Sequence, residues 1–279
     1  MSIRGVEALF FDVFGTVVDY MDTVTRALRR EIEATSLPDA EISRALKEEY
    51  DWQHFTLIWR RGYMDETKRL AAIGNPERVT VDQMHLGILN RLLSQLPLPA
   101  SNHSNGTAKV GGITIDVVSS SLSQAWSVEV RTRLNQVWHA LEPWPDSVEG
   151  MTQLKKHFKI GTLTNGNLGL MVDMAKNGKL PWDFILTADL LGSFKPDPTM
   201  YKSAMRLLDI DPDSNPQKAC MVAAHIYDLK AAKECGMTTV FVSHRWSEDS
   251  LPESGKPPFV DIVVSDLLEL ANLAQAPPK

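Results

Sequence analysis

A single carboxylate near the start of the chain lies between an apolar run and a glycine turn. The stretch FFDVFGTVVDY, residues 10–20, contains Asp12, and Phe14 and Thr16 stand two and four positions after it. Asp12 could act as a nucleophile, a metal ligand or a helix cap, because the turn can direct backbone N–H groups toward it and Thr16 adds a hydroxyl. Phe14, in contrast, has no proton to transfer.

Other polar side chains follow later apolar runs. Thr164 and Asn165 stand in LTNGN, Lys195 in FKPDP, and His225 and Asp228 in AAHIYD. A lysine near a carboxylate keeps it ionised, and an imidazole whose pKa lies near neutrality can activate a water molecule as a general base. Two non-catalytic alternatives stay open here. FKPDP could be only a turn before a helix, and His225 could be only a hydrogen-bonding residue.

The elements that must position these residues alternate between strand and helix character. Apolar runs typical of strands buried on both faces occur at residues 8–11, 160–163, 184–186, 219–223, 239–242 and 262–264. Helix-length amphipathic stretches separate them at residues 148–157, 168–176, 198–208 and 229–235. This alternation predicts a doubly wound α/β sheet, and the candidate residues would then meet at the carboxyl ends of its strands.

Residues 20–142 interrupt the alternation. They read as successive helices at 23–35, 40–61, 81–96 and 128–141, which predicts a helical cap domain inserted after the first strand. The core domain would then comprise residues 1–19 and 143–279. Within the insertion, residues 97–121 are rich in Ser, Gly and Asn and predict a flexible surface loop, with a short hairpin around GGITIDVV.

Composition narrows the class of partner. The 279 residues are 43% hydrophobic and carry a net charge of −6, with lysine and arginine scattered, so neither nucleic acid nor an anionic membrane is an expected partner. The two cysteines, Cys220 and Cys235, fit a reducing compartment, and we expect a cytoplasmic protein. The histidines outside the motifs lack metal-ligand spacing, so no metal site is expected there.

Taken together, the motifs resemble the haloacid dehalogenase superfamily. Its pattern is a first strand that ends in DxxGT (Asp12), a second that ends in a hydroxyl residue (Thr164), a KPDP lysine (Lys195) and an acid after a later strand (Asp228). The resemblance implies a HAD-like α/β fold, a doubly wound parallel sheet with a Rossmann-like core and a helical cap domain after the first strand. The long spacing between the first two motifs agrees with that insertion.

Phe14 makes the resemblance more specific. Most members of the superfamily are Mg-dependent phosphotransferases, and they have a second aspartate at this position as the acid for a leaving alkoxide. Without it, phosphate ester hydrolysis would lose a contribution of about 100-fold or more. A halide leaving group needs no proton, and the type II L-2-haloacid dehalogenases, which this chain resembles in finer detail, also have a non-acidic residue there.

The resemblance implies a two-step reaction without a cofactor. Asp12 attacks the carbon of a small 2-haloalkanoic acid to form an ester, and water then hydrolyses that ester. Lys195, Thr16 and Thr164 would hold the nucleophile. Asp228 would complete the polar network, and Tyr201 would donate a hydrogen bond to the substrate. Asn165 and Arg60 would contact the halide. Phe14 and Trp59 would make apolar contacts with the substrate.

The carboxylate clamp is expected in the helical insertion. IWRRGY, residues 58–63, resembles the substrate-arginine helix of the family, and Arg60 is our choice because a guanidinium offers a planar bidentate fork. Arg61 is the alternative. A solvated helix face is an equally open interpretation of either arginine.

His225 leaves the leaving group open. The best-known dehalogenase pattern has asparagine there, whereas some dehalogenase relatives and related epoxide-opening hydrolases that act on small dicarboxylates have histidine. We expect a general base. The alternatives to a dehalogenase are an epoxide-opening hydrolase with the same nucleophile, a Mg-dependent phosphatase in which Asp228 would bind the metal, and a non-catalytic binding protein. The expected partner is a small carboxylate, and a homodimer agrees with the family.

Overall fold

The computed structural model describes residues 3–73, 79–99 and 108–275. Ten strands occur in these residues: β1 (Ala8–Phe11), β2 (Val18–Asp19), β3 (Lys109–Val110), β4 (Ile113–Thr114), β5 (Glu142–Pro143), β6 (Lys159–Thr164), β7 (Phe184–Thr187), β8 (Ala219–Ala223), β9 (Thr238–Val242) and β10 (Ile262–Val264). Six of them form one parallel sheet in the order β10-β9-β8-β1-β6-β7.

The first strand lies in the middle of this sheet because its side chains are apolar on both faces. All four residues of β1 are buried, and Phe11 is in register with Thr162 of β6 and Val222 of β8. The N–H of Asp12 donates to the carbonyl oxygen of Val222 at 3.0 Å, so the ladder continues one residue beyond the strand. The chain order reverses beside β1, and ligands bind in this kind of sheet at that point.

The same described residues contain twelve α-helices. They are α1 (Tyr20–Ala34), α2 (Ala40–Arg44), α3 (Trp52–Ile73), α4 (Val81–Ser94), α5 (Ile115–Ala125), α6 (Val128–Gln136), α7 (Ser147–Leu154), α8 (Leu168–Gly178), α9 (Ala188–Leu191), α10 (Pro198–Leu207), α11 (Ile226–Glu234) and α12 (Leu267–Gln275). The six predicted strands agree with the sheet to within one residue at each end. The predicted fold class, a doubly wound parallel α/β sheet, is confirmed.

The described residues divide into two compact units. The core unit, drawn from Met1–Tyr20, Thr67–Arg78 and His139–Lys279, contains the parallel sheet. The helical unit, drawn from Met21–Glu66 and Val79–Trp138, has a buried aromatic cluster, in which Trp52 stacks on Trp126 with ring centroids 5.7 Å apart. The predicted cap boundaries at residues 20 and 142 stay a prediction.

The single helix predicted at residues 40–61 is wrong. The chain forms α2, a π-helical turn at Ala45–Glu49 and then α3. Tyr50 is extended with ψ 134°, its N–H donates to the carbonyl oxygen of Ala45, and its hydroxyl donates to the carbonyl oxygen of Pro97 at 2.8 Å. This fixed tyrosine separates the two helices. The helix predicted at 128–141 is also shorter, because it ends at Gln136 and continues as a 3-10 turn at Val137–Ala140.

The loop predicted at residues 97–121 is wrong in its last part. Helix α5 begins at Ile115 and buries Val118 and Leu122, and the hydroxyl of Ser119 accepts a hydrogen bond from the N–H of Leu96. The predicted hairpin is present, since β3 and β4 pair antiparallel around Gly111 and Gly112. Residues 100–107 lie outside the described part. No helix in the described ranges is long and apolar enough to cross a membrane.

Candidate active site

Asp12 is held at the carboxyl end of β1 by three side chains. Thr16 Oγ1 donates to Asp12 Oδ2 at 3.0 Å, Lys195 Nζ donates to Oδ1 at 2.8 Å, and His225 Nδ1 lies 2.8 Å from Oδ2. The carboxylate is buried. Burial by itself would raise the pKa of Asp12, but the charges of Lys195 and His225 lower it well below its ordinary value. The structure therefore keeps a buried carboxylate ionised.

Thr16 joins the turn after β1 to the end of β8. Its hydroxyl donates to Asp12 and accepts a hydrogen bond from the N–H of Ala224 at 2.9 Å. The buried Thr16 hydroxyl thus acts both as a hydrogen-bond donor and as an acceptor. The prediction that Thr16 holds the carboxylate agrees with this geometry.

Lys195 lies between two carboxylates. Its Nζ is 2.8 Å from Asp12 Oδ1 and 2.5 Å from Asp228 Oδ2, and its side chain is buried. Burial alone would lower the pKa of Lys195, but Asp12 and Asp228 raise it above its ordinary value. FKPDP is therefore more than a turn before α10, since it delivers a charged ammonium to the end of β1.

Asn165 fixes the backbone that carries this lysine. The N–H of Lys195 donates to Asn165 Oδ1 at 2.6 Å, and Asn165 Nδ2 donates back to the carbonyl oxygen of Lys195 at 3.1 Å. The amide side chain thus makes a reciprocal pair with one residue of the loop. The halide contact expected for Asn165 stays a prediction, and its positioning of Lys195 was not expected.

Asp228 and Tyr201 form the inner side of the cluster. Tyr201 Oη donates to Asp228 Oδ1 at 2.6 Å, and both side chains are buried. Burial raises the pKa of Asp228, although Lys195 opposes this shift. Burial and the adjacent Asp228 also raise the pKa of Tyr201. The single hydroxyl hydrogen of Tyr201 is directed at Asp228, which differs from the expected donation to a substrate.

His225 stands between two carboxylates. Its Nδ1 faces Asp12, and its Nε2 lies 2.7 Å from Glu248 Oε2. Burial alone would lower the pKa of His225, whereas Asp12 and then Glu248 raise it to about 10. The expectation of a pKa near neutrality is therefore wrong for this arrangement. With both ring nitrogens facing oxygen acceptors, the imidazole is a protonated cation at neutral pH.

Thr164 and Phe14 lie near the cluster, where Thr164 binds its own loop and Phe14 contributes an apolar ring. Thr164 Oγ1 accepts a hydrogen bond from the N–H of Gly166 at 3.1 Å, and among the described residues it makes no hydrogen bond to Asp12, contrary to expectation. Phe14 is buried, and a Cβ atom added to Gly166 would lie 3.5 Å from its ring. The apolar ring of Phe14 thus stands where the turn after β1 faces the end of β6.

The two residues predicted from the helical insertion lie on α3. Trp59 is fully buried and its Nε1 donates to the carbonyl oxygen of His85 at 2.9 Å. Arg60 is 4% exposed, and its guanidinium carbon lies 5.1 Å from the ring centroid of Tyr63. Arg61 is exposed. The solvated helix face is thus wrong for Arg60, while the substrate roles of Trp59 and Arg60 stay predictions.

Glu248 is a site residue that no sequence motif predicts. It follows β9 in the segment SHRWSEDS and belongs to no motif. Its side chain is 4% exposed and reaches His225. Its role is visible only in the structure, where the carboxylate is buried between His225 and Gly15. No local sequence pattern predicts these contacts.

A magnesium ion does not fit the donors of this cluster. The positions that would hold it, Asp12 and Asp228, already share the ammonium of Lys195, and their other oxygens accept from His225 and Tyr201. The lysine belongs to the superfamily pattern as a whole, but the cationic His225 on Asp12 Oδ2 adds a second positive charge that a metal ion would meet at short range. In residues 3–73, 79–99 and 108–275, no group of three or more His, Cys, Asp or Glu side chains is placed to hold a metal ion.

The fold and site define a class of α/β protein in which the central strand of a parallel sheet ends in an ionised, lysine-bound aspartate. The chain belongs to the haloacid dehalogenase-like hydrolase family, whose model matches residues 6–236. The resemblance that the motifs indicated is therefore confirmed.

Two solved structures are similar along the whole chain. The L-2-haloacid dehalogenase PA0810 is 30% identical with a TM-score of 0.72, covering 96% of this chain and 97% of that one. The defluorinating L-2-haloacid dehalogenase Rha0230 is 29% identical with a TM-score of 0.73, and the match covers 99% of each chain.

The curated relatives match over shorter stretches. The (S)-2-haloacid dehalogenase 4A of Burkholderia cepacia is 31% identical over 119 residues, which are 42% of this chain and 50% of that protein. The pyrophosphatase PpaX of Bacillus mycoides (strain KBAB4) is 29% identical over 135 residues, 47% of this chain and 61% of that one. The chain thus spans about half the length of the first of these relatives.

Proposed function

We propose that this protein is a hydrolase that cleaves the carbon–halogen bond of a small 2-haloalkanoic acid and forms the 2-hydroxy acid through an ester on Asp12. The observation that carries the proposal is a buried, ionised Asp12 held by Lys195 and His225, with Phe14 at the position of the phosphatase acid. The names of the similar proteins, L-2-haloacid and (S)-2-haloacid dehalogenase, support the same reaction.

In the first step, an oxygen of the Asp12 carboxylate forms a bond to the halogen-bearing carbon. The carbon–halogen bond breaks on the opposite side, and the halide leaves with the electron pair. No acid is required, because halide ions are stable unprotonated. The contacts of Asp12 with Lys195 and Thr16 favour this step by fixing the direction of the carboxylate.

In the second step, water attacks the carbonyl carbon of the Asp12 ester. Esterification removes the negative charge of Asp12, which is a main cause of the raised pKa of His225. Loss of that charge lowers the pKa of the imidazole, while Glu248 stays in contact with it, and the ring can release a proton and serve as the base for water. His225 is thus a cation in the free enzyme and a base only after the ester has formed.

An epoxide-opening hydrolase is the second candidate, and one observation favours it. The cationic His225 beside Asp12 could donate the proton that an opening epoxide oxygen needs, whereas a halide has no such need. A Mg-dependent phosphatase has less support, despite the similarity to PpaX, because Phe14 replaces its acid and the donor set does not fit the metal. A non-catalytic binding protein also has less support, because binding alone does not require the buried ion pairs of Asp12 with Lys195 and His225.

The proposal is tested by halide release from 2-chloropropanoate with EDTA present. We expect the wild type to release chloride and Asp12→Asn to release none, while Asp213→Asn, a matched change at an exposed aspartate, keeps the wild-type rate. Chloride release by the wild type would also exclude a binding protein. If the wild type opens a small epoxide dicarboxylate or hydrolyses p-nitrophenyl phosphate with magnesium, and releases no chloride, the proposal is wrong.

The wider organisation is proposed as well. We infer a helical domain at residues 20–142 that is inserted into a core domain of residues 1–19 and 143–279. We also infer that the protein binds a small-molecule carboxylate and is cytoplasmic. Size-exclusion chromatography with light scattering tests the homodimer that the family resemblance allows.

A further inference from the structure

Glu248 is built into the site behind His225. Its Oε2 lies 2.7 Å from His225 Nε2, and Ser247 Oγ donates to its Oε1 at 2.9 Å. Asp12 occupies the other side of the same imidazole, at Nδ1. A carboxylate oxygen therefore lies within 2.8 Å of each ring nitrogen, and each carboxylate is almost fully buried. The contact at Nε2 is a close ion pair and not an aligned hydrogen bond.

A tight turn anchored by Arg245 holds Glu248 in place. The N–H of Glu248 donates to the carbonyl oxygen of Arg245 at 2.9 Å. The guanidinium makes two hydrogen bonds to Asp146, at 2.9 and 2.8 Å, and its Nε donates to the carbonyl oxygen of Thr16 at 2.9 Å. It also lies 5.2 Å over the ring of Trp144. The turn is thus fixed to the backbone that follows Asp12, and such supporting contacts are what a precise site requires.

Gly15 leaves the space that the Glu248 carboxylate fills. Its φ is +80°, and a Cβ atom added there would lie 2.3 Å from Glu248 Cδ. No side chain at this position could keep both the backbone conformation and the carboxylate. Gly15, the glycine of DxxGT, therefore both permits the turn and leaves room for the Glu248 carboxylate.

We propose that Glu248 is the positioning residue of His225 in hydrolysis of the Asp12 ester, because its carboxylate lies 2.7 Å from Nε2, favours the proton on that nitrogen and so leaves Nδ1, the nitrogen beside Asp12, to act on the ester. The inference rests on the proposed function, since it requires the ester. A carboxylate that fixes the tautomer and orientation of a catalytic imidazole is worth large factors in rate in unrelated hydrolases.

Esterification changes only one of the charges around the ring. The titratable groups that face it are Asp12 and Glu248 in contact, Tyr227 with its ring centroid 5.7 Å away, Lys195 across Asp12, and Asp228 in the first turn of α11. When Asp12 becomes an ester, Glu248 is the remaining carboxylate in contact with His225. The proton at Nε2 then stays with Glu248 as acceptor, and the proton at Nδ1 is released to solvent.

The protons of the second step balance. Water gives one proton to His225 Nδ1 while its oxygen bonds to the ester carbon of Asp12. The bond from that carbon to the product oxygen then breaks, and the product alkoxide takes the proton from Nδ1 to become the 2-hydroxy acid. The new Asp12 carboxylic acid passes its proton to Nδ1, which restores the carboxylate and the imidazolium. One proton and one halide are released per turnover.

The test compares Glu248→Gln with Glu248→Asp and with Glu253→Gln, a matched change at an exposed glutamate of the same segment. Rapid-quench assays with 2-chloropropanoate measure the chloride burst, and intact mass spectrometry measures the esterified enzyme. We expect Glu248→Gln to keep the burst and to slow ester hydrolysis by about 100-fold, so that the ester accumulates. Glu248→Asp should recover part of the rate, and the dependence of hydrolysis on pH should shift in Glu248→Gln and not in Glu253→Gln.

Two outcomes would overturn the inference, and they are distinguishable. If the wild type turns over and Glu248→Gln hydrolyses the ester at the wild-type rate, or slows the burst and hydrolysis equally, Glu248 has no positioning role and the proposed function survives. If the wild type forms neither chloride nor ester, the proposed function fails and the inference fails with it.

Discussion

Lys195 Nζ lies 2.8 Å from Asp12 Oδ1, with both side chains almost completely buried, although 183 residues separate them in the chain. Two charges in a place of low polarity attract each other strongly, and each would be costly alone. The pair therefore couples the ionisation of the candidate nucleophile to the folding of the sheet.

Removing the lysine charge should cost both stability and activity. Lys195→Met would leave two carboxylates, Asp12 and Asp228, without their shared cation, and breaking a buried pair in this way costs about 3–5 kcal/mol. We expect a loss of that order in the free energy of unfolding, measured with urea, and no detectable ester. Lys202→Met, at a half-exposed lysine, is the control. Wild-type chloride release by Lys195→Met would contradict the role assigned to the pair.

Stability should depend on pH through His225. Its pKa in the folded protein is about 10, above the ordinary value of about 6.5, so its stabilisation is complete below pH 6.5. That stabilisation is lost as the pH rises from there toward 10. We expect the urea-unfolding free energy of the wild type to fall across this window more steeply than that of His225→Gln. Parallel slopes for the two proteins would show that the imidazole is not held as a cation.

Two glycines with nearly the same positive φ allow backbone strain to be measured separately from side-chain contact. Gly5 has φ +82° with nothing within 4 Å of an added Cβ, whereas at Gly15, with φ +80°, that atom would meet Glu248. Gly5→Ala should lose about 1–2 kcal/mol of unfolding free energy and keep activity. Gly15→Ala should lose more and also slow ester hydrolysis, because the Glu248 carboxylate must move. Equal effects of the two changes would argue against this contact.

The predicted carboxylate clamp is tested by a change that keeps the charge. Lysine cannot make the planar bidentate contact of a guanidinium, so Arg60→Lys should raise KM for 2-chloropropanoate about tenfold with a smaller change in kcat. Arg61→Lys, at the exposed neighbour, should leave both constants unchanged. The opposite result would transfer the predicted role to Arg61.

The sheet and the charged cluster were predictable for a physical reason. Strands buried on both faces are short apolar runs, and parallel strands bring their carboxyl ends to one edge, so Asp12, Lys195 and Asp228 meet there. The partners of uncharged side chains were not predictable. Tyr201 and Asn165 were predicted site residues, yet only the structure shows that they bond to Asp228 and to the backbone of Lys195.

The errors arose where distant contacts override local preference. Tyr50 ends the turn after α2 in a sequence that reads as continuous helix, because its hydroxyl is bound to Pro97. The serine-rich stretch before Ala125 reads as a loop, but two of its apolar residues, Val118 and Leu122, occur at helical spacing and are buried. Glu248 is placed by Arg245 and Asp146, which are far apart in the chain, so no motif around Glu248 could reveal it.

The covalent route is tested most directly by a single turnover of 2-chloropropanoate in water enriched in heavy oxygen. We expect one label in the Asp12 carboxylate, located by fragmentation of the tryptic peptide of residues 5–26, and an unlabelled hydroxyl in the first product. Asp12→Asn should form no product under these conditions. Label in the first product with none in Asp12 would mean that water attacks the substrate directly, which contradicts the ester mechanism.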